Sequence, residues 1–143
     1  MTTLTSDTIV LGLTLYGEAR GEPIESIIAV GCVIRNRLMK NFKYKSYSDV
    51  CLEPYQFSCW NENDPNSEKL LEYRKELTTG GIVIDSYLRQ CLFLAEGIIN
   101  YILLDNTRGS LHYVATKILN NPPSWALRRT NEIVKGNHTF FNI

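Results

Sequence analysis

The stretch Leu15-Tyr16-Gly17-Glu18-Ala19-Arg20-Gly21-Glu22-Pro23 sets two carboxylates, Glu18 and Glu22, around an arginine. Its glycines and proline force a change of direction. A carboxyl group at such a joint serves as a proton donor if it is sheltered, and as a solvated surface anion if it is not. Ser6-Asp7 offers a cap and an acid for a first helical turn, and Ile9, Leu13, Tyr16 and Arg20 recur at helical intervals. Glu18 then falls in the last turn of a helix, where the macrodipole disfavours an anion by about 0.3–1 kcal/mol and so favours the form that donates a proton. Arg20, two residues on, does not face it. Glu22 precedes Pro23, at the cap of the next helix, where the dipole favours the carboxylate. Glu22 therefore reads as a structural anion and Glu18 as the better acid.

Other chemistries find less material. The histidines, His112 and His138, stand alone, without HExxH or paired-cysteine spacing, so no metal and no cofactor is expected. There is no nucleophile-elbow sequence for serine catalysis. Cys32 and Cys91 lie inside apolar helical runs as small buried hydrophobes, whereas Cys51 and Cys59 flank a polar loop. A reducing site of synthesis argues against a Cys51–Cys59 bridge.

The elements that must position Glu18 are mostly helical. After the joint, residues 24–40 are apolar on all sides from Ile27 to Ile34 and carry Arg35, Arg37 and Lys40 at the cation-favouring end, which makes this helix the expected central pillar. Residues 41–66 read as loop and short turns, rich in aromatics and amides. A polar helix is expected at 67–77, and a further one from a cap at Asp85 or Ser86 to about Leu104, with Leu88, Cys91, Leu92, Ala95, Ile98 or Ile99, and Ile102 turned inward. Residues 110–116 alternate as a strand, and 133–141 form an extended pair about a Lys-Gly-Asn turn. The fold class is α+β, mainly helical, with a small C-terminal antiparallel sheet or hairpin.

The 143 residues make one domain, 1–143. Its 15 acidic and 15 basic residues remove the electrostatic case for nucleic acid or an anionic membrane as partner. A neutral polymer fits better. No apolar run approaches the roughly 20 residues needed to cross a bilayer, and the N-terminus lacks the basic and small-residue marks of a secretory signal. Synthesis in the cytoplasm is expected, with release to the wall by another route, and the chain is expected to be a monomer.

These motifs in order, LYGEARGEP, AVGCVIRNR, PYQFSCWN, LHYVAT, PSWA and GNHTFF, resemble the catalytic domain of the SleB/CwlJ-type cell wall hydrolases, the spore cortex-lytic enzymes and the related lysins of phages and gene-transfer agents. The resemblance implies a lysozyme-like fold related to goose-type lysozymes and lytic transglycosylases. It also implies glycan strands of peptidoglycan as substrate and Glu18 as the catalytic residue. Tyr16, Gln56, Phe57, Ser58 and Trp60 would line one side of a glycan groove; His112, Tyr113 and His138 would form another wall. Where that family often shows Thr-His-Tyr-His, this chain has Ser110-Leu111-His112-Tyr113 followed by Val114. The spore enzymes usually carry a signal peptide and a peptidoglycan-binding module. A bare domain resembles a phage-type endolysin delivered through a holin or on a virion. Whether a second carboxylate assists Glu18 stays open, with Asp49, Glu53 and Asp64 as candidates and hydrolysis as the alternative outcome.

Overall fold

The computed structural model describes residues 4–143. Among the described residues five α-helices precede a small sheet: α1 Ser6–Ala19, α2 Ile24–Lys40, α3 Tyr47–Cys51, α4 Ser67–Thr78 and α5 Ser86–Ile99. The strands are β1 His112–Ala115, β2 Thr130–Lys135 and β3 His138–Asn142. The expected α+β architecture is present.

Helix α1 starts at Thr5, whose hydroxyl accepts from the Thr8 amide, one residue earlier than the Ser6-Asp7 reading. Every residue from Thr8 to Tyr16 is buried, and α1 packs against each of the other four helices. The pillar is therefore α1 as much as α2. An apolar helix of this kind gains its stability from burial on all faces, and Glu18 is anchored to that buried element. The joint is tight. Arg20 is extended, Gly21 adopts φ +85°, and the Glu22 amide closes the turn on the Ala19 carbonyl at 3.0 Å. Pro23, not Glu22, occupies the cap of α2, which has no side-chain cap.

Helix α5 stops at Ile99, short of the expected Leu104. Tyr101 turns into the left-handed region (φ +57°) and the Ile102 amide bonds back to the Gly97 carbonyl at 2.9 Å. Arg35 of α2, 4% exposed, fixes this reversal: its Nη1 donates to the carbonyls of Ile98 and Leu103, both at 2.9 Å, and its guanidinium lies over the Tyr101 ring. Ile102, expected inside, is consequently exposed. The segment read as loop contains α3, capped by the Ser46 hydroxyl, and a single 3₁₀ turn at Ser58–Trp60.

The sheet order is β1-β3-β2, antiparallel throughout. The second strand begins earlier than expected, at Thr130, with an irregularity in register before Ile133. Tyr113 pairs with Phe140 and His112 with Phe141. Because strand side chains alternate, Phe140 joins the helical core while Phe141 joins a satellite cluster with Val114 and Ala126. All four cysteines are buried and free, Cys51 and Cys59 included.

Candidate active site

Glu18 ends α1 against β1. Its Oε1 accepts from the Tyr113 hydroxyl at 2.8 Å. Tyr113 is wedged between Phe140 (ring centroids 5.5 Å, stacked) and the edge of His138 (5.4 Å). Burial, and then the neighbouring Glu18 charge, push its phenol well above the ordinary value, so it remains a neutral donor. On the other side Gly17 lets α1 meet the Ser58–Trp60 turn. A Cβ at Gly17 would stand 2.6 Å from Cys59 Cβ and 2.8 Å from its Sγ. Burial and Glu18 likewise push the Cys59 thiol up, and it stays protonated.

Two clefts meet at Glu18. One, of about 560 Å³, has Gln56, Ser58 and Tyr55 on the loop side and His112, Tyr113 and Trp125 on the sheet side, with Arg37 at its floor. The other, of about 490 Å³, runs past Arg20 and Glu22 to Thr116, Lys117, Asn137 and His138. Trp125 is 48% exposed and stacks on Phe141 (5.9 Å, 27°), presenting a flat face to the first cleft. Tyr55, 88% exposed, is held outward by a left-handed backbone (φ +66°). Flat apolar faces beside amides and hydroxyls are what a pyranose ring needs, since it presents both kinds of surface.

Three expected groove residues lie elsewhere. Tyr16 is 2% exposed and donates to Asp85 Oδ2 at 2.6 Å, on the far side of α1. Phe57, also 2% exposed, packs beneath the Arg37 guanidinium. Trp60 turns its indole N–H inward to Thr14 Oγ1 at 2.9 Å. Through the 3₁₀ turn Gln56 and Ser58 are exposed while Phe57 and Cys59 are buried, and Tyr16 lies within the all-buried run of α1.

The candidate second carboxylates are also absent from both clefts. Asp49 accepts from the Lys45 amide, Asp64 from the Asn66 amide, and Glu53 pairs with Lys43 and Tyr44. Glu22 borders the second cleft, but its two oxygens accept from the main-chain and side-chain nitrogens of Asn137, both at 2.9 Å, tying the β2–β3 turn to the joint. Burial acts to raise this carboxyl, yet those hydrogen bonds prevail and hold it below its ordinary value. It is a structural anion. His138 Nδ1 lies 3.2 Å from Ser26 Oγ and 3.6 Å from Glu22 Oε1. Burial nevertheless outweighs the pull of Glu22 and Glu18 and lowers its pKa, so the ring is neutral near pH 7. His112 is lowered too, by burial and then by Arg37. Among the described residues no cluster of three or more His, Cys, Asp or Glu side chains is placed to hold a metal, and no helix is long and apolar enough to cross a membrane.

A family model described as Cell Wall Hydrolase matches residues 21–141, most of the chain. The chain belongs to the cell wall hydrolase family. The match begins just beyond Glu18, so the placement of that residue rests on the geometry above. Curated proteins similar to this chain include the spore cortex-lytic enzyme of Bacillus subtilis (strain 168), 42% identical over 53 residues, 37% of this chain and 17% of that protein. That of Oceanobacillus iheyensis is 38% identical over 74 residues, 47% and 27% of the respective chains. The aligned part is thus a minor portion of those relatives. Among solved structures, the catalytic domain of the germination-specific lytic transglycosylase SleB from Bacillus anthracis superposes with a TM-score of 0.67 at 23% identity, covering 97% of this chain and 96% of that one. The catalytic domain of the Bacillus cereus SleB protein gives 0.61 at 23%, covering 99% and 93%. At that identity the likeness speaks for the fold, which is lysozyme-like.

Arg37 and Trp125, both lining the first cleft, were not singled out from the sequence as site residues. Arg37 donates from Nε to the Leu111 carbonyl at 2.7 Å and from Nη1 to Gln56 Oε1 at 3.3 Å, joining α2, the loop and the sheet. At the end of a cationic helix it looked like a dipole partner. Trp125 sits in a proline-rich loop with one helical turn, a context that gives no direction for its ring.

Proposed function

We propose that this cell wall hydrolase cleaves the β-1,4 bond between N-acetylmuramic acid and N-acetylglucosamine in peptidoglycan as a lytic transglycosylase, with Glu18 as general acid and then base. The observation that carries it is the position of Glu18: a carboxyl group where two clefts meet, held by a tyrosine hydroxyl. A strand laid along both clefts brings a bridging oxygen to Glu18.

Glu18 begins protonated and gives its proton to that oxygen as the C1–O bond breaks. Positive charge develops at C1 and the ring oxygen of the muramoyl residue. The Glu18 carboxylate, kept in place by Tyr113, then takes the proton of the muramoyl 6-hydroxyl. Its oxygen bonds to C1, closing a 1,6-anhydro ring and restoring the acid. Two-carboxylate glycosidases keep their pair about 5–5.5 Å or 6.5–9.5 Å apart. Here the other acids are tethered or lie outside the clefts, which favours the route in which the sugar's own hydroxyl replaces water.

Mass spectrometry of muropeptides from sacculi digested with the purified chain tests bond and mechanism together. Anhydro-muramoyl ends, one water lighter than hydrolytic ends, are expected. Reducing muramic ends would make it a hydrolytic muramidase, and binding without release would make it a glycan-binding component. The finer biological reading is a phage-type endolysin that reaches the wall from the cytoplasmic side. It is supported by the likeness of the ordered motifs to those of phage and gene-transfer-agent lysins. Expression in a bacterial host with and without a holin tests this: lysis only with the holin is expected.

A further inference from the structure

A third cleft, of about 370 Å³, branches from the first and shares Arg37, Gln56 and His112 with it. Lys40, Asn41, Lys43, Tyr44, Glu53 and Leu111 complete its walls. Three cations thus face one carboxylate, in a chain whose formal net charge is zero. That carboxylate, Glu53, is already engaged by Lys43 and Tyr44. The excess is local to the branch: along the cleft past Glu22, Arg20 and Lys117 are balanced by Glu18 and Glu22.

Arg37 stands at the fork. Its Nε and Nη1 bonds to Leu111 and Gln56 fix the plane of the guanidinium, while Nη2 has no acceptor among the described residues and is not sealed from solvent. A guanidinium fixed through two of its nitrogens and free at the third can donate to one further carboxylate oxygen. The glycan proposed above is itself branched: each muramoyl lactyl group bears a peptide, whose free carboxylates are anionic groups of the polymer. We infer that the Arg37–Lys40–Lys43 branch is a subsite for stem-peptide carboxylates, so that the enzyme prefers strands with acidic, non-amidated stems. This rests on the glycan-cleaving function, which deposits the muramoyl residue beside the fork.

One preparation of sacculi supplies three substrates: strands with free stem carboxylates, strands amidated with carbodiimide and ammonia, and strands stripped of stems by an amidase. Wild-type kcat/KM is expected to be on the order of fivefold higher on the carboxylate-bearing strands than on the amidated ones, the scale of one or two solvent-accessible charge contacts. Lys40→Glu, at an exposed position, brings that ratio to about one or below. Using the ratio divides out any general loss of active protein. Equal wild-type rates on both substrates, or an unchanged ratio in Lys40→Glu, overturns the inference. A free L-Ala-γ-D-Glu-containing stem tripeptide titrated into isotope-labelled protein is expected to shift the Arg37 Nε resonance, and its amidated form is not. Absence of turnover on all three strands refutes the glycan-cleaving function, and the peptide titration then judges the subsite by itself.

Discussion

Replacing Glu18 by Gln changes one atom of the proposed catalyst and almost nothing else. The amide oxygen can accept the Tyr113 hydroxyl at the same 2.8 Å position, and the side-chain volume beside the Cys59 thiol is retained. Stability is therefore expected to change by less than about 1 kcal/mol, a shift of a few degrees in Tm for a domain of this size. The amide cannot donate a proton to the bridging oxygen or take one from the 6-hydroxyl. A loss of about 10²–10⁴-fold in kcat is expected for one general acid, equivalent to about 2.7–5.5 kcal/mol on the barrier. Turbidity loss of purified sacculi gives the rate, a pelleting assay gives binding, and thermal melting gives the fold. Binding is expected to survive, since the cleft walls are untouched. A variant that melts and binds like wild type and also lyses at a comparable rate would refute the assignment of Glu18.

Tyr113→Phe removes the donor to Glu18 and keeps the ring packing on Phe140. A kcat lower by about 10- to 100-fold, with KM little changed, is expected from loss of a hydrogen bond to a charged group, and steady-state kinetics on soluble strands reads it. Trp125→Ala removes the half-exposed platform: KM rises by about 2- to 10-fold, on the scale of aromatic stacking, and Tm falls by a few degrees because the ring also covers Phe141. Arg35→Met leaves the Ile98 and Leu103 carbonyls without their buried donor, costing about 2–4 kcal/mol and accelerating amide hydrogen exchange over residues 98–104. Acid unfolding follows from the lowered carboxyls and imidazoles. His112 and His138 have folded values below 6.5, so the stability they contribute is full above 6.5 and is lost as pH falls through the lower folded values. Glu22, Asp85 and Asp105 repeat this below 4.5 and 3.8. Melting temperature plotted against pH is expected to fall in two stages, with Glu22→Gln reducing the lower one and leaving the Asp85 and Asp105 share.

Local patterns carried much of the architecture. The Gly-Glu-Pro joint, α1, α2 and α4 follow from periodicity and punctuation within a few residues, and Glu18 in the last turn of α1 follows with them. The end of α5 did not, because it is decided by Arg35, more than sixty positions away in the chain, gripping the carbonyls at 98 and 103. The inward aim of Phe57 and Trp60 depends on the backbone at one extended residue before a 3₁₀ turn, a phase that composition does not reveal. Tyr16 reads on either face of an all-buried helix; Asp85 settles which. The partnership of Glu18 with Tyr113 is long-range and appears only once β1 is laid against α1.

Gly17 gives the cleft its gauge. The loop bearing Ser58 rests on α1 through Cys59, at a spot where even a methyl group would collide. Any larger residue there pushes that wall outward as a body, leaving Glu18 on its helix while the opposite bank recedes from the sugar. Loss of turnover with the acid and its tyrosine both intact would be the outcome, so a position with no side chain governs whether the one beside it reaches its target.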